Sequence, residues 1–192
     1  MQLQVLEHRL QRGQTIELAA APRVLYDVEA GSARYLSGDA TVAGPAHALS
    51  FELVGAPAPR ALLSAPVELP PGQRRLLRCD RVEFPPGGVA YLHTHQGPGI
   101  RVLLHGSIRV DTAGRSHHYG PLEAWFEPGP EPVFAAASET EPTAFVRCMV
   151  LPERLLGQSS IRYVREEDAE KPKPQRYTVF VDEPIASGSG AP

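Results

Sequence analysis

Two histidines, His93 and His95, stand one residue apart in the run Gly88-Val-Ala-Tyr-Leu-His93-Thr-His95. In an extended strand, residues i and i+2 share a face. Both imidazoles can therefore point into one interior and offer ring nitrogens to a single ion. Imidazole suits Zn, Fe, Ni and Cu. No other segment carries a comparable chemical pattern. There is no Gly-x-Ser-x-Gly elbow, phosphate-binding loop or Cys-x-x-Cys pair, so nucleophilic catalysis and nucleotide hydrolysis have no support.

The elements that must position this pair are strands. The 192 residues include 20 Pro and 17 Gly, which helices tolerate poorly and turn-linked short strands use freely. Strand patterns run from Arg75 to Phe84, Ile100 to His105, Ser107 to Asp111, Ser116 to Tyr119, Glu123 to Glu127, Val133 to Ala137 and Ala144 to Leu151. Earlier in the chain they cover Gln4 to Leu10, Thr15 to Leu18, Arg23 to Glu29, Ser32 to Leu36, Ala48 to Val54 and Ala61 to Leu69. Short strands at close spacing, with turn signals between them, predict an all-β sandwich or barrel.

The chain also repeats itself. Gly13 answers Gly88, and Gly31-Ser-Ala-Arg34 answers Gly106-Ser-Ile-Arg109, an offset of 75 residues (106 − 31). Gly44-Pro45 and Phe51-Glu52 continue the match at Gly120-Pro121 and Phe126-Glu127. This divides the chain into a first repeat at 1–72, a second at 73–154 and an extension at 155–192. Within the extension, Leu155 to Ser160 and Glu166 to Pro174 are polar or proline-broken, with room for one helical turn. Arg176 to Asp182 is a strand expected to dock on a sheet edge, within the chain or across a two-fold homodimer. Residues 186–192 predict a flexible tail.

The second repeat resembles the cupin superfamily. Gly88 leading into His93-Thr-His95, with Gly106 closing the hairpin, is similar to the first cupin motif, and Gly120 through Pro128-Gly129 echoes the second. The resemblance implies a double-stranded β-helix (jelly roll) in two tandem repeats packed as one unit. It also implies a divalent transition metal (Fe, Zn, Ni or Mn) on His93 and His95. The family's Glu falls here on Gly99, and its last His falls near Val133; neither can ligate through a side chain. The site then recruits further ligands, relies on substrate or stands empty; the candidates are His105, His117 or His118, and Glu123 or Glu127, with His105 and Glu127 foremost. Arg101 lies two residues after the Gly99 position, so alternation aims it inward. A buried Arg needs an anion, either Glu123 or Glu127, or a substrate carboxylate held bidentately. Arg101, Trp125 and Tyr91 are the substrate-contact candidates. Gln96-Gly-Pro-Gly99 reads equally as a mobile lip and as a tight turn. In the first repeat His93 and His95 map to Leu18 and Ala20, which leaves that half a structural shell.

Net charge is −3, which argues against a nucleic-acid partner. No Lys/Arg run draws the chain to a membrane, and no apolar run approaches bilayer length. Cys79 and Cys148 sit in apolar strand patterns, as buried thiols of a reducing compartment would. The start has no secretory signal pattern, so a cytoplasmic address is expected. The functional expectation is a metal-dependent small-molecule enzyme, such as a dioxygenase, isomerase or lyase. The alternative is a non-catalytic sensor or carrier of a small, anionic organic molecule that has lost its full metal site.

Overall fold

The computed structural model describes residues 1–70 and 72–185 and is built almost wholly of antiparallel strands. The second half contains β8 (Arg75–Phe84), β9 (Val89–His95), β10 (Gly99–His105), β11 (Ile108–Thr112), β12 (Arg115–Tyr119), β13 (Ala124–Glu127), β14 (Val133–Ala137) and β15 (Thr143–Pro152). They form two facing sheets, ordered β13-β10-β15-β8 and β12-β11-β14-β9. Eight strands alternating between two sheets in this order are the double Greek key of a jelly roll. Alternation along β8 explains its interior. Arg78, Asp80, Val82 and Phe84 share the barrel face, so the barrel is polar at one end and apolar at the other. The apolar end holds Val82, Phe84, Leu103, Ile108, Trp125 and Phe145.

The first half contains β1 (Gln2–Leu10), β2 (Thr15–Leu18), β3 (Arg23–Asp27), β4 (Ser32–Leu36), β5 (Ala40–Ala43), β6 (Ala46–Val54) and β7 (Leu63–Pro66). Five of these strands make one sheet, β4-β3-β6-β1-β7, and β2 pairs with β5. The segment β3-β6-β1 has the nesting of β10-β15-β8, and β2-β5 that of β9-β14. The 75-residue offset follows the strands only as far as Gly31 and Gly106, which both turn with positive φ (61° and 78°). Beyond them the match ends. β4 folds straight back on β3, whereas β11 leaves for the opposite sheet. Phe51-Glu52 lies on β6, between β1 and β3, while Phe126-Glu127 lies on β13, beside β10 alone. The later sequence matches therefore join non-equivalent strands. Among the described residues the first half has no counterpart of the β11–β12 hairpin.

The two halves share one core. Leu3, Val5, Val24 and Phe51 of the first sheet pack with Leu77, Cys79, Ile100, Val102, Val146 and Cys148 of the second. Both faces of β8 and β15 are thus covered, one by the first half and one by the barrel, which is why their sequences are nearly continuous in apolar residues.

The extension adds a strand to each barrel sheet. β16 (Ile161–Tyr163), which the sequence pattern did not reveal, pairs with β9. After the short helix α1 (Glu166–Glu170), β17 (Arg176–Pro184) pairs with the edge of β8 in the same chain. A register shift between Val179 and Val181 breaks the expected alternation of β17. Phe180 and Val181 join the shared core, while Tyr177 and Val179 line a cleft on the barrel side. The tail expected over 186–192 lies outside the described residues.

Candidate functional site

Strands β9, β10 and β13 bring four buried polar side chains to the barrel's polar end: His93, His95, Arg101 and Glu127. His93 Nδ1 lies 2.6 Å from the Tyr91 carbonyl oxygen. A carbonyl only accepts, so the neutral ring carries its proton on Nδ1 and leaves Nε2 a bare acceptor. The His95 Nε2 proton then points to His93 Nε2, 3.2 Å away. Glu127 Oε2 lies 3.3 Å from His95 Nε2 and 2.7 Å from Arg101 Nη2. Trp125 Nε1–H donates to Glu127 Oε1 at 2.9 Å, and Arg101 Nη1–H donates to the Gly99 carbonyl at 2.7 Å. The Arg101–Glu127 approach is ionic but poorly angled, so Arg101 Nη2 and Glu127 Oε2 remain buried without a hydrogen bond, as does His95 Nδ1.

Electrostatics follow from burial. Desolvation lowers both histidines, His95 to about 3 despite the opposing pull of Glu127. Both are neutral at pH 7. Burial alone would raise Glu127, but Arg101 and the contacts from His95 and Trp125 outweigh it and hold the carboxyl well below its usual range. Burial also draws Arg101 down to about 10, still protonated at neutral pH. A second buried pair lies beside the first. Arg147 donates through Nε and Nη2 to the two oxygens of Asp80, at 2.6 and 3.1 Å. These two adjoining pairs set two fixed cations against two fixed anions, a net charge of zero.

The sequence candidates separate accordingly. His93, His95, Arg101, Trp125 and Glu127 converge on one interior space. Trp125 stacks on Tyr119 with ring centres 4.7 Å apart and meets Phe145 edge-on, so its ring is core and its N–H orients Glu127. His105 is exposed and faces the Pro142 carbonyl; it sits at the end of β10, beyond the barrel's apolar half, and takes no part in the site. His117 and His118 are exposed on β12, and Glu123 caps the Gly120 amide. Tyr91 is also absent from the site. A bulge in β9 pairs Val133 with His93 but Ala135 with Ala90. It reverses the alternation between Ala90 and His93, so Tyr91 turns outward, where Lys171 lies 5.1 Å from its ring. Arg101 meets Glu127 rather than an open ligand space. The arginines that reach the neighbouring cleft are Arg78 and Arg147, which spacing did not single out. Gln96 to Gly99 is a tight turn, since a Cβ on Gly97 would meet the Val150 carbonyl at 2.2 Å.

The donor set does not fit a divalent ion as placed. Among the described residues, the only carboxylate in contact with the histidines, Glu127, is already engaged by Arg101 and Trp125. A dication would bring a buried charge of +2 next to two guanidinium groups, a large desolvation cost with both nearby anions, Glu127 and Asp80, already paired to arginines. At the position of the family's Glu, even a Cβ on Gly99 would come within 2.7 Å of Met149 Cγ and 2.8 Å of the Cys148 carbonyl. At the position of its last His, Val133 stands directly opposite His93 in register. Among the described residues no group of three or more His, Cys, Asp or Glu is arranged to hold a metal. The interior leaves about 20 Å³ for the centre of a water-sized sphere, roughly the room of one water, so an organic molecule does not enter.

Room exists next door. A cleft of about 480 Å³ opens between β16 and β17, with Arg147 and Tyr177 lining both it and the interior. Among the described residues no helix is long and apolar enough to cross a membrane.

Neither a protein-family model nor a curated protein matches the sequence. Solved structures do. The chain is similar to the polyketide cyclase RemF from Streptomyces resistomycificus, at 24% identity over 52% of this chain and 68% of that one, with a TM-score of 0.40. It is similar to a cupin 2 conserved barrel domain protein from Leptotrichia buccalis, at 17% identity over 76% and 88% of the two chains, TM-score 0.41. A cupin-2 domain protein from Rhodospirillum rubrum matches at 18% identity over 84% and 86%, TM-score 0.39. Likeness at these levels concerns the fold alone. By its strand order, β13-β10-β15-β8 facing β12-β11-β14-β9, the second half of the chain is a jelly roll.

Proposed function

We propose that the chain is a non-catalytic binding module, a sensor or carrier of a small organic molecule, whose barrel has exchanged a metal for an internal ion pair. One observation carries this reading: Glu127, the carboxylate beside the two histidines, is held by Arg101 at 2.7 Å and by Trp125 at 2.9 Å. A charge-neutral, closely filled polar end stabilises the barrel without demanding a cofactor. It also supplies a rigid wall against which a ligand can rest.

A second reading, a metal-dependent enzyme of dioxygenase, isomerase or lyase type using Fe, Zn, Ni or Mn, is favoured by the 3.2 Å between the Nε2 atoms of His93 and His95. Two imidazoles on one tetrahedral zinc stand about 3.4 Å apart, given Zn–N bonds of about 2.1 Å.

Metal analysis of untagged protein separates the two. The binding-module reading expects under about a tenth of an equivalent of any transition metal, as purified and after reloading with Fe²⁺, Zn²⁺, Ni²⁺ or Mn²⁺, because structural affinity of this kind is strong or absent. Near-stoichiometric uptake lost in a His93→Ala, His95→Ala double variant would establish the enzyme reading instead. A reducing, cytoplasmic setting accords with Cys79 and Cys148, which are free, buried and directly opposite each other on β8 and β15.

A further inference from the structure

The cleft beside the barrel is made by the extension, not by the jelly roll. β16 lies beyond β9 and β17 beyond β8, on the same side of the sandwich, and the two added strands do not pair with each other. They splay and leave the cleft between them. Its volume of about 480 Å³ lies within the roughly 300–1,000 Å³ typical of small-ligand sites.

The walls are apolar and aromatic. Ile161 and Tyr163 of β16 face Tyr177 and Val179 of β17. Tyr177 and Val179 are large side chains that remain 39% and 54% exposed. The floor is polar yet charge-balanced. Arg147 gives Nε and Nη2 to Asp80, which leaves Nη1 outside that pair, and Arg78 is held bidentately by Asp182. The Arg147 guanidinium lies 5.5 Å from the Tyr177 ring centre, a cation–π contact that keeps both groups in place. A floor already neutralised does not favour a multiply charged ligand such as a phosphate ester. Two tyrosine rings with an aliphatic residue beside each favour a flat π-system.

We infer that the cleft between β16 and β17 binds a planar aromatic molecule carrying one acceptor oxygen, a carboxylate or a carbonyl, with its ring between Tyr163 and Tyr177 and its oxygen toward Arg147. This rests on reading the chain as a small-molecule binder and specifies where the ligand sits and of which class it is. The extension thereby acquires a role that the jelly roll alone could not fill, since the barrel interior has no space for such a molecule.

The test is calorimetric titration of the full chain with 2-naphthoate and with uncharged 2-acetylnaphthalene, run beside acetate, succinate and citrate. One-to-one binding of a naphthyl compound is expected. Tyr163→Ala should weaken it about tenfold, the loss of one well-packed aromatic contact. Ile161→Trp, which fills the cleft, should abolish it. Tighter binding of the naphthoate than of the ketone, with the difference reduced in Arg147→Lys, identifies the carboxylate as the recognised oxygen. Equal binding identifies the carbonyl. Thermal melts of each variant distinguish a blocked cleft from an unfolded chain. Binding of the aliphatic acids alone would overturn the inference while leaving the small-molecule reading intact. Binding of none of the five, or naphthyl binding undiminished by Ile161→Trp, would overturn the inference as well.

Discussion

His95 makes the stability of this chain depend on pH in a direction the structure dictates. The ring is 5% exposed, and desolvation, only partly opposed by Glu127, lowers its pKa from 6.5 to about 3. In the unfolded chain it titrates near its ordinary value. Between those two values the unfolded state binds a proton that the folded state refuses, so stability falls as pH is lowered below 6.5. Between pH 7.5 and pH 5.0 a single histidine of this kind costs about 2 kcal/mol. For a chain of this length that is about 4–8 °C in melting temperature. His93 is lowered too, by desolvation first, and adds in the same direction. Calorimetry on the chain and on His95→Gln at pH 7.5 and 5.0 isolates the effect. The variant retains a side chain that can donate toward His93 but has nothing to titrate. Its melting temperature should drop less over this interval, by about those 4–8 °C. If the two proteins lose the same number of degrees, His95 is not held neutral, and the description of the polar end as two neutral imidazoles beside a balanced ion pair is wrong.

Arg101→Met should leave Glu127 buried beside two histidines with its guanidinium partner gone, destabilising the chain by about 3–5 kcal/mol. Added Co²⁺ should then restore stability in the variant and not in the parent, read as a rise in melting temperature and as visible ligand-field bands. Restoring the family's acidic residue with Gly99→Glu should fail to create a metal site and should cost about 1–3 kcal/mol, because its Cβ collides with Met149 and with the Cys148 carbonyl; a stable, cobalt-binding variant would refute that packing. Deleting residues 172–192 removes the strand that covers the β8 edge together with Val181 and Phe180, and the melting temperature should fall. We further expect the full chain to be a homodimer, since among the described residues β17 ends its sheet with one edge unpaired; a monomeric mass by light scattering would exclude it.

The strands were legible because their signals are local. Period-two alternation, glycine and proline punctuation and the His-x-His spacing require only a few residues each. The β9 histidines face inward as spacing predicts, and the strand at Arg176 docks on a sheet edge. What spacing could not decide depends on interruptions of alternation and on partners distant in the chain. A bulge after Ala90 turns Tyr91 outward, and a register shift after Val179 sends Phe180 and Val181 to the core while Tyr177 stays at the cleft. A one-residue irregularity leaves no mark in composition, yet it exchanges the faces of everything beyond it. Charge offers Arg101 Glu123, Glu127 or a substrate carboxylate, and only the fold selects among them, since Glu127 faces the barrel on β13 and Glu123 lies outside it. The internal repeat misled past Gly31 because residue identity at a fixed offset does not record which strand a segment will join. The cleft between β16 and β17 was invisible for the deepest reason. A cavity belongs to the space between elements, and only the tertiary arrangement of strands that add to two different sheets leaves that space open.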